Sequence, residues 1–205
     1  MRVVAGELRG RRIEGPPEPK NRRGNFEQVT RPTTDKVREA IFNALGSLEV
    51  VEGSTVVDMF AGSGALGIEA LSRGAEHCVF IENDRTALAV LQRNIDQLGL
   101  ADRSTVVSAD IARESDAGAG SRIAAHIAGA ELVLADPPYR YEKWSDLFAL
   151  VSAALPNAVL VAETEVGASI HGNPPEGWNC LRIREYGRTA VGFYVASTTT
   201  QRSAD

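Results

Sequence analysis

The chain has 205 residues, 43% of them hydrophobic and 24% charged, and its formal net charge is −5. This composition is typical of one globular domain, or one domain with a small appendage, that folds without disulfide or metal cross-links. No window is apolar enough to span a membrane and the N-terminus lacks the apolar block of a secretory signal, so we expect a cytoplasmic protein. The two cysteines, Cys78 and Cys180, lie far apart with no CxxC and no His cluster, which excludes a disulfide framework and a recognisable zinc site.

The charges are distributed unevenly along the chain. Residues 1–40 contain 10 Lys and Arg against 6 Asp and Glu, whereas the remaining residues contain 12 against 21. A basic arm on an acidic body suits a polyanionic partner, because neutralising phosphates supplies most of the sequence-independent affinity for nucleic acid. A solvated basic tail explains the same charges equally well.

The N-terminal residues predict a β-hairpin arm. The runs RVVAG and GRRIEG flank a turn around residues 7–10, and prolines at positions 16, 17 and 19 predict a linker. We therefore predict three parts: residues 1–25 form the arm and linker, residues 26–198 the main domain, and residues 199–205 a disordered tail. Near the start of the main domain, Thr33 or Thr34 caps a predicted helix whose apolar face is Val37, Ile41, Ala44, Leu45 and Leu48.

Five short apolar runs, each ending at an acidic residue, follow the arm. Their spacing of 24 to 28 residues suits a strand, a crossover helix and the next parallel strand. The unbroken Val, Ile and Leu content suits strands covered by helices on both faces. Because parallel strands point the same way, we expect the five acids along the carboxyl edge of the sheet, where such sheets bind ligands. They are Asp58, Glu82, Asp110, Asp136 and Glu163.

Apolar spacing predicts helices over residues 65–72, 87–98 and 144–155, while the Ala- and Gly-rich residues 115–130 are less clearly helical. At the C-terminus, two β-rich runs joined around Gly187 predict a hairpin that adds an antiparallel strand. The expected fold class is therefore α/β: a Rossmann-like, mostly parallel sheet with an antiparallel C-terminal hairpin strand, plus the N-terminal β-hairpin arm.

A glycine-rich turn follows the first predicted strand. Residues 62–67 match G-x-G-x-x-G, a pattern that fits a dinucleotide as well as other ligands, with Glu82 about 20 residues further on. Asp58 beside the turn would repel a pyrophosphate but attract a ligand with an ammonium and a sulfonium group, such as S-adenosylmethionine. Glu82 then suits a bidentate hold on both ribose hydroxyls, and Asp110 can accept a hydrogen bond from the adenine amine. Any one of these acids could instead cap the helix or turn that follows it.

The second motif is Asp136-Pro137-Pro138-Tyr139, at the end of the fourth predicted strand. Prolines offer no N–H donors, so carbonyl oxygens and the aspartate are left to accept hydrogen bonds from a substrate. An exocyclic NH2 of a nucleobase is such a donor, and Tyr139 can stack on the base. Trp144 is expected to be a packing residue, with a place at the border of the same pocket as the alternative. Methyl transfer from sulfonium to amine depends on positioning and charge compensation and needs no metal. A tight turn with a packed tyrosine is the alternative interpretation.

These motifs resemble those of class I S-adenosylmethionine-dependent methyltransferases. Four stretches resemble the bacterial RsmD family, which methylates a guanine N2 in small-subunit ribosomal RNA: RVVAGELRGRRI, RPTTDKVREAIFNAL, VVDMFAGSGALGIEALSRGA with VFIEND, and LVLADPPY. The resemblance implies that the cofactor is held by Asp58, Phe60, Gly62, Gly64, Glu82 and Asp110. It implies that the target amine lies against Asp136, Pro137, Pro138 and Tyr139. It also implies that RNA is contacted by the guanidinium groups of Arg9, Arg11, Arg12 and Arg31.

The resemblance further implies an enzyme that acts on 16S ribosomal RNA, within a 30S subunit or an assembly intermediate, as a monomer with no metal and no membrane partner. Other functions stay open on the residues alone. A DNA amino-methyltransferase or a protein glutamine methyltransferase would use the same Asp-Pro-Pro-Tyr site. A nicotinamide-dependent oxidoreductase fits the glycine pattern, and a non-catalytic RNA-binding module would keep the fold without the reaction.

Overall fold

The computed structural model describes residues 1–15, 35–117, 121–138 and 140–197. The predicted proline linker, the Thr33 or Thr34 cap, Arg31, Tyr139 and the C-terminal tail lie outside these residues. Within them, no helix is both long and apolar enough to cross a membrane.

Seven strands form one mixed sheet. They are β1 Thr55–Met59, β2 His77–Glu82, β3 Ser104–Ser108, β4 Leu132–Ala135, β5 Val159–Glu165, β6 Trp178–Tyr186 and β7 Thr189–Ala196. Their order in the sheet is β3-β2-β1-β4-β5-β7-β6. The first five strands are parallel, and β7 runs antiparallel to both β5 and β6. The predicted α/β class, with its parallel strands and its C-terminal hairpin, is confirmed.

Helices cover both faces of the sheet. In chain order they are α1 Asp35–Gly46, α2 Ala65–Ser72, α3 Arg85–Leu98, α4 Ile111–Ala117, α5 Ala124–Ile127, α6 Trp144–Ala154 and α7 Ser169–Gly172. Apolar side chains of α1, α2 and α3 pack on one face, and those of α4 to α7 pack on the other. The central strands are therefore buried on both faces, as their unbroken apolar runs predicted.

Local sequence signals account for where the helices begin and end. α2 begins after Gly64, whose φ of 82° lies in the left-handed region. α3 begins after Asp84, whose side chain accepts a hydrogen bond from the Ala87 N–H at 2.8 Å, and it ends at Gly99, which is again left-handed. The stretch predicted to be less clearly helical contains two short helices, α4 and α5, and no long one within its described residues.

The N-terminal arm, residues 1–15, folds back on itself and packs against the domain. The predicted turn is present, and an antiparallel bridge between Arg2 and Arg12 joins its two sides. Backbone hydrogen bonds also join its two sides, from the N–H groups of Val3, Gly10 and Ile13 to the carbonyls of Arg11, Val3 and Met1. The arm bonds to the domain as well, because the N–H groups of Val4 and Ala5 donate to the buried carboxylate of Glu69. The side chains of Val3 and Ile13 belong to the apolar cluster under α1, α2 and α3.

Candidate active site

A cavity of about 950 Å³ opens at the carboxyl edge of the parallel strands. All five strand-end acids line it, as the repeat of strands and helices predicted: Asp58, Glu82, Asp110, Asp136 and Glu163. The strand order reverses here, since β2 lies on one side of β1 and β4 on the other, and such a switch point opens a ligand-binding crevice. The volume is in the range of cavities that enclose a small-molecule ligand.

Asp58, within β1, is 1% exposed. Its Oδ2 accepts a hydrogen bond from the backbone N–H of Gly67 at 2.8 Å, so it caps α2 as well as lining the cavity. Burial raises the pKa of Asp58 well above its ordinary value; the Gly67 hydrogen bond opposes this shift, and the charges of Asp136 and Glu82 add to it. A cluster of acids held this close together favours a cationic ligand.

Glu82, the last residue of β2, ties the glycine-rich turn to the turn that follows β2. Its Oε2 accepts a hydrogen bond from the Gly62 N–H at 2.7 Å. Its Oε1 accepts hydrogen bonds from the N–H groups of Asn83 and Asp84 at 2.7 and 2.8 Å. A carboxylate oxygen that accepts one hydrogen bond can accept a second, so Oε2 suits one ribose hydroxyl. Oε1 already accepts two hydrogen bonds, so it is less suited to the second hydroxyl of the predicted bidentate hold.

Of the two glycines predicted to hold the cofactor, Gly62 lines the cavity and Gly64 packs against the core. A Cβ at Gly64 would lie 2.5 Å from Cδ1 of Leu91, and one at Gly67 would lie 2.3 Å from Cε1 of Phe80. These two glycines therefore let α2 approach α3 and β2 closely. Gly64 supports the site through this packing, whereas Gly62 and its neighbour Ser63 bring backbone to the cavity wall.

Asp110 lies at the start of α4. Its Oδ1 accepts a hydrogen bond from the Ala112 N–H at 3.0 Å, and its Oδ2 lies 3.5 Å from Nε of Arg113. The buried hydroxyls of Ser115 and Tyr141 lie near each other, and their interaction partly opposes the rise in the Tyr141 pKa that burial causes. Each Asp110 oxygen keeps acceptor capacity beyond its contacts with Ala112 and Arg113, so the carboxylate can accept a hydrogen bond from the adenine amine that the sequence predicts here.

Three aromatic side chains line the cavity next to one another. The ring of Phe60, a residue held at a φ of 64°, meets Tyr141 edge-on with 5.2 Å between centroids, and Tyr141 meets Trp144 at the same distance. Burial raises the pKa of Tyr141 to about 12, so its phenol is neutral at physiological pH. Trp144 borders the pocket, in agreement with the alternative prediction for this residue. Tyr141 was not predicted, although it stands two residues after the Asp-Pro-Pro-Tyr motif.

Asp136, Pro137 and Pro138 follow β4 directly and line the cavity. Asp136 and Pro137 are half-buried and Pro138 is exposed. The charge of Asp136 contributes to the raised pKa of Asp58, so the two carboxylates lie near each other. Tyr139 lies outside the described residues, and its stacking role stays a prediction.

The end of β5 and the loop after it, residues 163–168, also line the cavity and were not predicted beyond Glu163. One residue of this segment, Thr164, has its Oγ1 2.6 Å from Nε2 of His171 on α7. The other ring nitrogen of His171, Nδ1, lies 2.6 Å from the hydroxyl of Tyr194 on β7. Burial lowers the pKa of His171, so the ring is neutral at pH 7 and bridges the two hydroxyls. The sequence holds no signal for this link, because its three residues lie on three separate elements.

The turn of the arm lies away from the cavity. Arg11 Nη2 donates a hydrogen bond to the Gln97 carbonyl in the last turn of α3, and the Glu7 N–H donates to the carbonyl of Ser72, the last residue of α2. Helices that follow parallel strands end at the edge opposite the ligand-binding edge. Arg9 and Arg11 therefore lie toward that far edge. Arg12 is exposed on the returning side of the arm.

The sheet has a Rossmann-like strand order, and its acid-lined cavity lies beside a glycine-rich turn and an Asp-Pro-Pro motif after β4. These features together define the class of S-adenosylmethionine-dependent methyltransferases. Comparison with known proteins narrows the class further. The family described as "Conserved hypothetical protein 95" matches residues 1–195. The chain belongs to this family, and the predicted RsmD resemblance is confirmed.

Individual relatives match along nearly the whole chain. The Bacillus subtilis (strain 168) protein YlbH is 38% identical over 200 residues, which cover 95% of this chain and 98% of the relative. The "Ribosomal RNA small subunit methyltransferase D" of Escherichia coli (strain K12) is 32% identical over 210 residues, which cover 100% of this chain and 94% of the relative. The solved structure of yhhF from Escherichia coli has a TM-score of 0.73 at 30% identity, covering 96% of this chain and 97% of that one.

Proposed function

We propose that this protein transfers a methyl group from S-adenosylmethionine to the exocyclic N2 of a guanine in 16S ribosomal RNA. The observation that carries the proposal is the presence of Asp136 and its two prolines in the same cavity as Asp58, Glu82 and Asp110. A methyl group can pass directly from one bound molecule to another only when the donor site and the acceptor site share one cavity.

The cavity residues fit the methyl donor by charge and by hydrogen bonding. When bound, S-adenosylmethionine supplies a methyl group whose departure removes the positive charge of the sulfur. Asp58 and its acidic neighbours offset the ammonium and sulfonium of the donor and disfavour the pyrophosphate of a nicotinamide dinucleotide. Glu82 accepts from a ribose hydroxyl through Oε2, and Asp110 accepts from the adenine amine.

At the acceptor end, the Asp136 carboxylate and the carbonyl oxygens of the Asp-Pro-Pro segment accept hydrogen bonds from the base NH2. These bonds orient the amine toward the methyl group and compensate for the positive charge that develops on its nitrogen during transfer. The aromatic rings of Phe60, Tyr141 and Trp144 give the pocket flat apolar walls. Walls of this kind suit a base that is turned out of its stack.

The choice of ribosomal RNA draws on the relatives. The Escherichia coli relative is named for the small ribosomal subunit, and the family match begins at residue 1, so it includes the arm. The proposal includes 16S RNA in a 30S subunit or an assembly intermediate as the substrate, a monomeric enzyme and a cytoplasmic location. The rivals are a DNA amino-methyltransferase and a protein glutamine methyltransferase, whose targets also present an NH2 group to the same motif.

The test offers the enzyme each substrate with a labelled donor. Small ribosomal subunits that lack the modification, duplex DNA and peptide release factors are incubated separately with the protein and methyl-labelled S-adenosylmethionine. We expect label in 16S RNA, recovered as N2-methylguanosine after nuclease digestion. Label confined to DNA or to a release factor overturns the RNA assignment, and label on another base position overturns the N2 assignment.

A further inference from the structure

The acid-lined cavity presents a problem for an RNA substrate. Five carboxylates line it, and Asp84 and Glu165 add two more, so the cavity repels the phosphates on either side of any nucleotide that enters it. The arginines on the turn of the arm cannot offset this repulsion locally, because they lie toward the opposite edge of the sheet. Exposed cations near the mouth of the cavity are therefore the groups to look for.

The turn between β6 and β7 lies at this mouth. β7 pairs antiparallel with β5, so that Thr189 at the start of β7 is opposite Glu165 at the end of β5. Thr189 lines the cavity, and the Val166 N–H in the cavity loop donates a hydrogen bond to the Arg188 carbonyl at 3.0 Å. Gly187, with a φ of 64°, permits the tight turn that places Arg188 beside the opening.

Two more arginines continue from this turn along β6, which is the edge strand of the sheet. Arg184 and Arg182 pair with Val191 and Phe193 on β7 and lie two residues apart, on the same face of the strand. Both are exposed, as is Arg188. The hydrogen bond that Arg184 makes is to the carbonyl of the adjacent Ile183. Arg140, which lines the cavity after the Asp-Pro-Pro motif, is a fourth exposed arginine.

These four arginines differ from most other basic residues of the domain. Within the described residues, none of the four takes part in an ion pair, whereas seven basic side chains elsewhere do: Arg38, Arg73, Arg93, Arg103, Arg113, Arg122 and Lys143. In a chain with a net charge of −5, a row of exposed arginines without acidic partners is available for an external anion. Guanidinium groups bind phosphate through paired hydrogen bonds.

We infer that Arg140, Arg188, Arg184 and Arg182 form a phosphate-binding surface, here called the arginine ledge, that holds the RNA backbone as it leaves the cavity. The inference rests on the proposed function, because it takes RNA as the substrate, and it adds a contact surface on the C-terminal hairpin. The ledge anchors the backbone beside the target nucleotide, so that the acidic cavity receives the base while the phosphates stay outside it.

The test removes two of the four positive charges of the ledge and leaves the residues that line the cavity unchanged. Arg184→Gln/Arg188→Gln is compared with Arg184→Lys/Arg188→Lys, which keeps the positive charges on the same strand and turn. Binding of the S-adenosylhomocysteine-loaded proteins to unmodified small ribosomal subunits is measured at several salt concentrations, together with methyl transfer and S-adenosylhomocysteine affinity.

We expect the Gln variant to bind the subunits about tenfold or more weakly, and the slope of log affinity against log salt to fall by roughly one to two, as for the loss of one or two phosphate contacts. The Lys variant keeps the positive charges but not the paired hydrogen bonds, so it should keep the wild-type salt slope and bind at least about threefold more tightly than the Gln variant. S-adenosylhomocysteine affinity should be unchanged in both.

Each other outcome is decisive. If the Gln variant binds and methylates the subunits like the wild type, the ledge is overturned and the proposed function stands. If the Lys variant loses binding as fully as the Gln variant, the effect comes from the fold of the hairpin and the ledge is again overturned. If the wild-type protein itself neither binds nor methylates RNA, the proposed function fails, and the ledge fails with it.

Discussion

The backbone N–H of Gly67 donates a hydrogen bond to Oδ2 of Asp58 at 2.8 Å, which joins the end of β1 to the first turn of α2. One carboxylate thereby caps a helix and supplies buried negative charge to the cavity. Because burial raises its pKa, the charge costs stability when the cavity holds no ligand. The same cost becomes a source of affinity when a cation binds there.

The first prediction concerns Asp58→Asn, which keeps an oxygen for the Gly67 N–H and removes the charge. A carboxyl group whose folded-state pKa is raised stabilises the fold fully at low pH and loses that contribution as pH rises above its ordinary value of 3.8 and through the folded-state pKa. We therefore expect the variant to exceed the wild type in free energy of unfolding at pH 7 to 8, with the difference shrinking toward pH 4. Urea unfolding across this range measures it.

The same variant should lose affinity for the cationic donor. We expect S-adenosylmethionine to bind about tenfold more weakly at pH 7.5, which corresponds to about 1.4 kcal/mol. Isothermal titration calorimetry provides the measurement. A variant that is less stable than the wild type at pH 8 yet binds the donor normally would show that Asp58 acts only as a helix cap.

The second prediction separates catalysis from donor binding at Asp136. Asp136→Asn replaces a charged acceptor in the amine-binding segment with a neutral one, so charge compensation at the nitrogen weakens. We expect methyl transfer to fall by about 100-fold or more, the usual cost of losing one transition-state hydrogen-bonding group. S-adenosylhomocysteine affinity should change by less than about threefold. Rapid methylation by the variant would exclude this residue from the reaction.

The third prediction tests the close approach of α2 to β2. A Cβ at Gly67 would lie 2.3 Å from Phe80 Cε1 and 2.6 Å from Cys78 Sγ, so Gly67→Ala overpacks the core and should cost about 1–3 kcal/mol. Gly46→Ala is the matched control, because Gly46 ends α1 and a Cβ there meets no atom within 4 Å. Equal free energies of unfolding for the two variants would contradict the packing argument.

The fourth prediction tests the docking of the arm on α2. Gly6 and Gly10 have φ values of 82° and 81°, so Ala strains the backbone equally at both positions. A Cβ at Gly6 would lie 1.8 Å from the Ser72 carbonyl oxygen, whereas one at Gly10 meets nothing within 4 Å. We expect Gly6→Ala, and not Gly10→Ala, to release the arm.

Release should be visible as faster amide hydrogen exchange of Val4 and Ala5, whose N–H groups bond to Glu69. Glu69 is fully buried between Arg38 and Arg73, so losing these donors should also lower the free energy of unfolding. Slow exchange in both variants would mean that the arm does not depend on the contact with Ser72.

The C-terminal hairpin shows how far local pattern reaches. The β-rich runs around Gly187 predicted its two strands correctly, because alternation and a turn residue are local properties. Its position beside β5 places Arg188 at the mouth of the cavity. The position of Arg188 depends on the pairing of β7 with β5, and no local sequence pattern predicts which strands pair.

The sequence by itself determined the α/β repeat and the acids that meet at one edge of the sheet, since the direction of parallel strands brings the ends of successive apolar runs together. Only the tertiary structure decided that the arm docks on Glu69, that Gly64 packs against Leu91 and that Tyr141 joins the cavity wall. The first two contacts join residues 27 or more positions apart in the chain, and Tyr141 is a loop residue whose side chain lies in the cavity wall. These contacts arise from shape complementarity between packed elements, and the periodicity of side chains along the sequence does not predict which elements pack together.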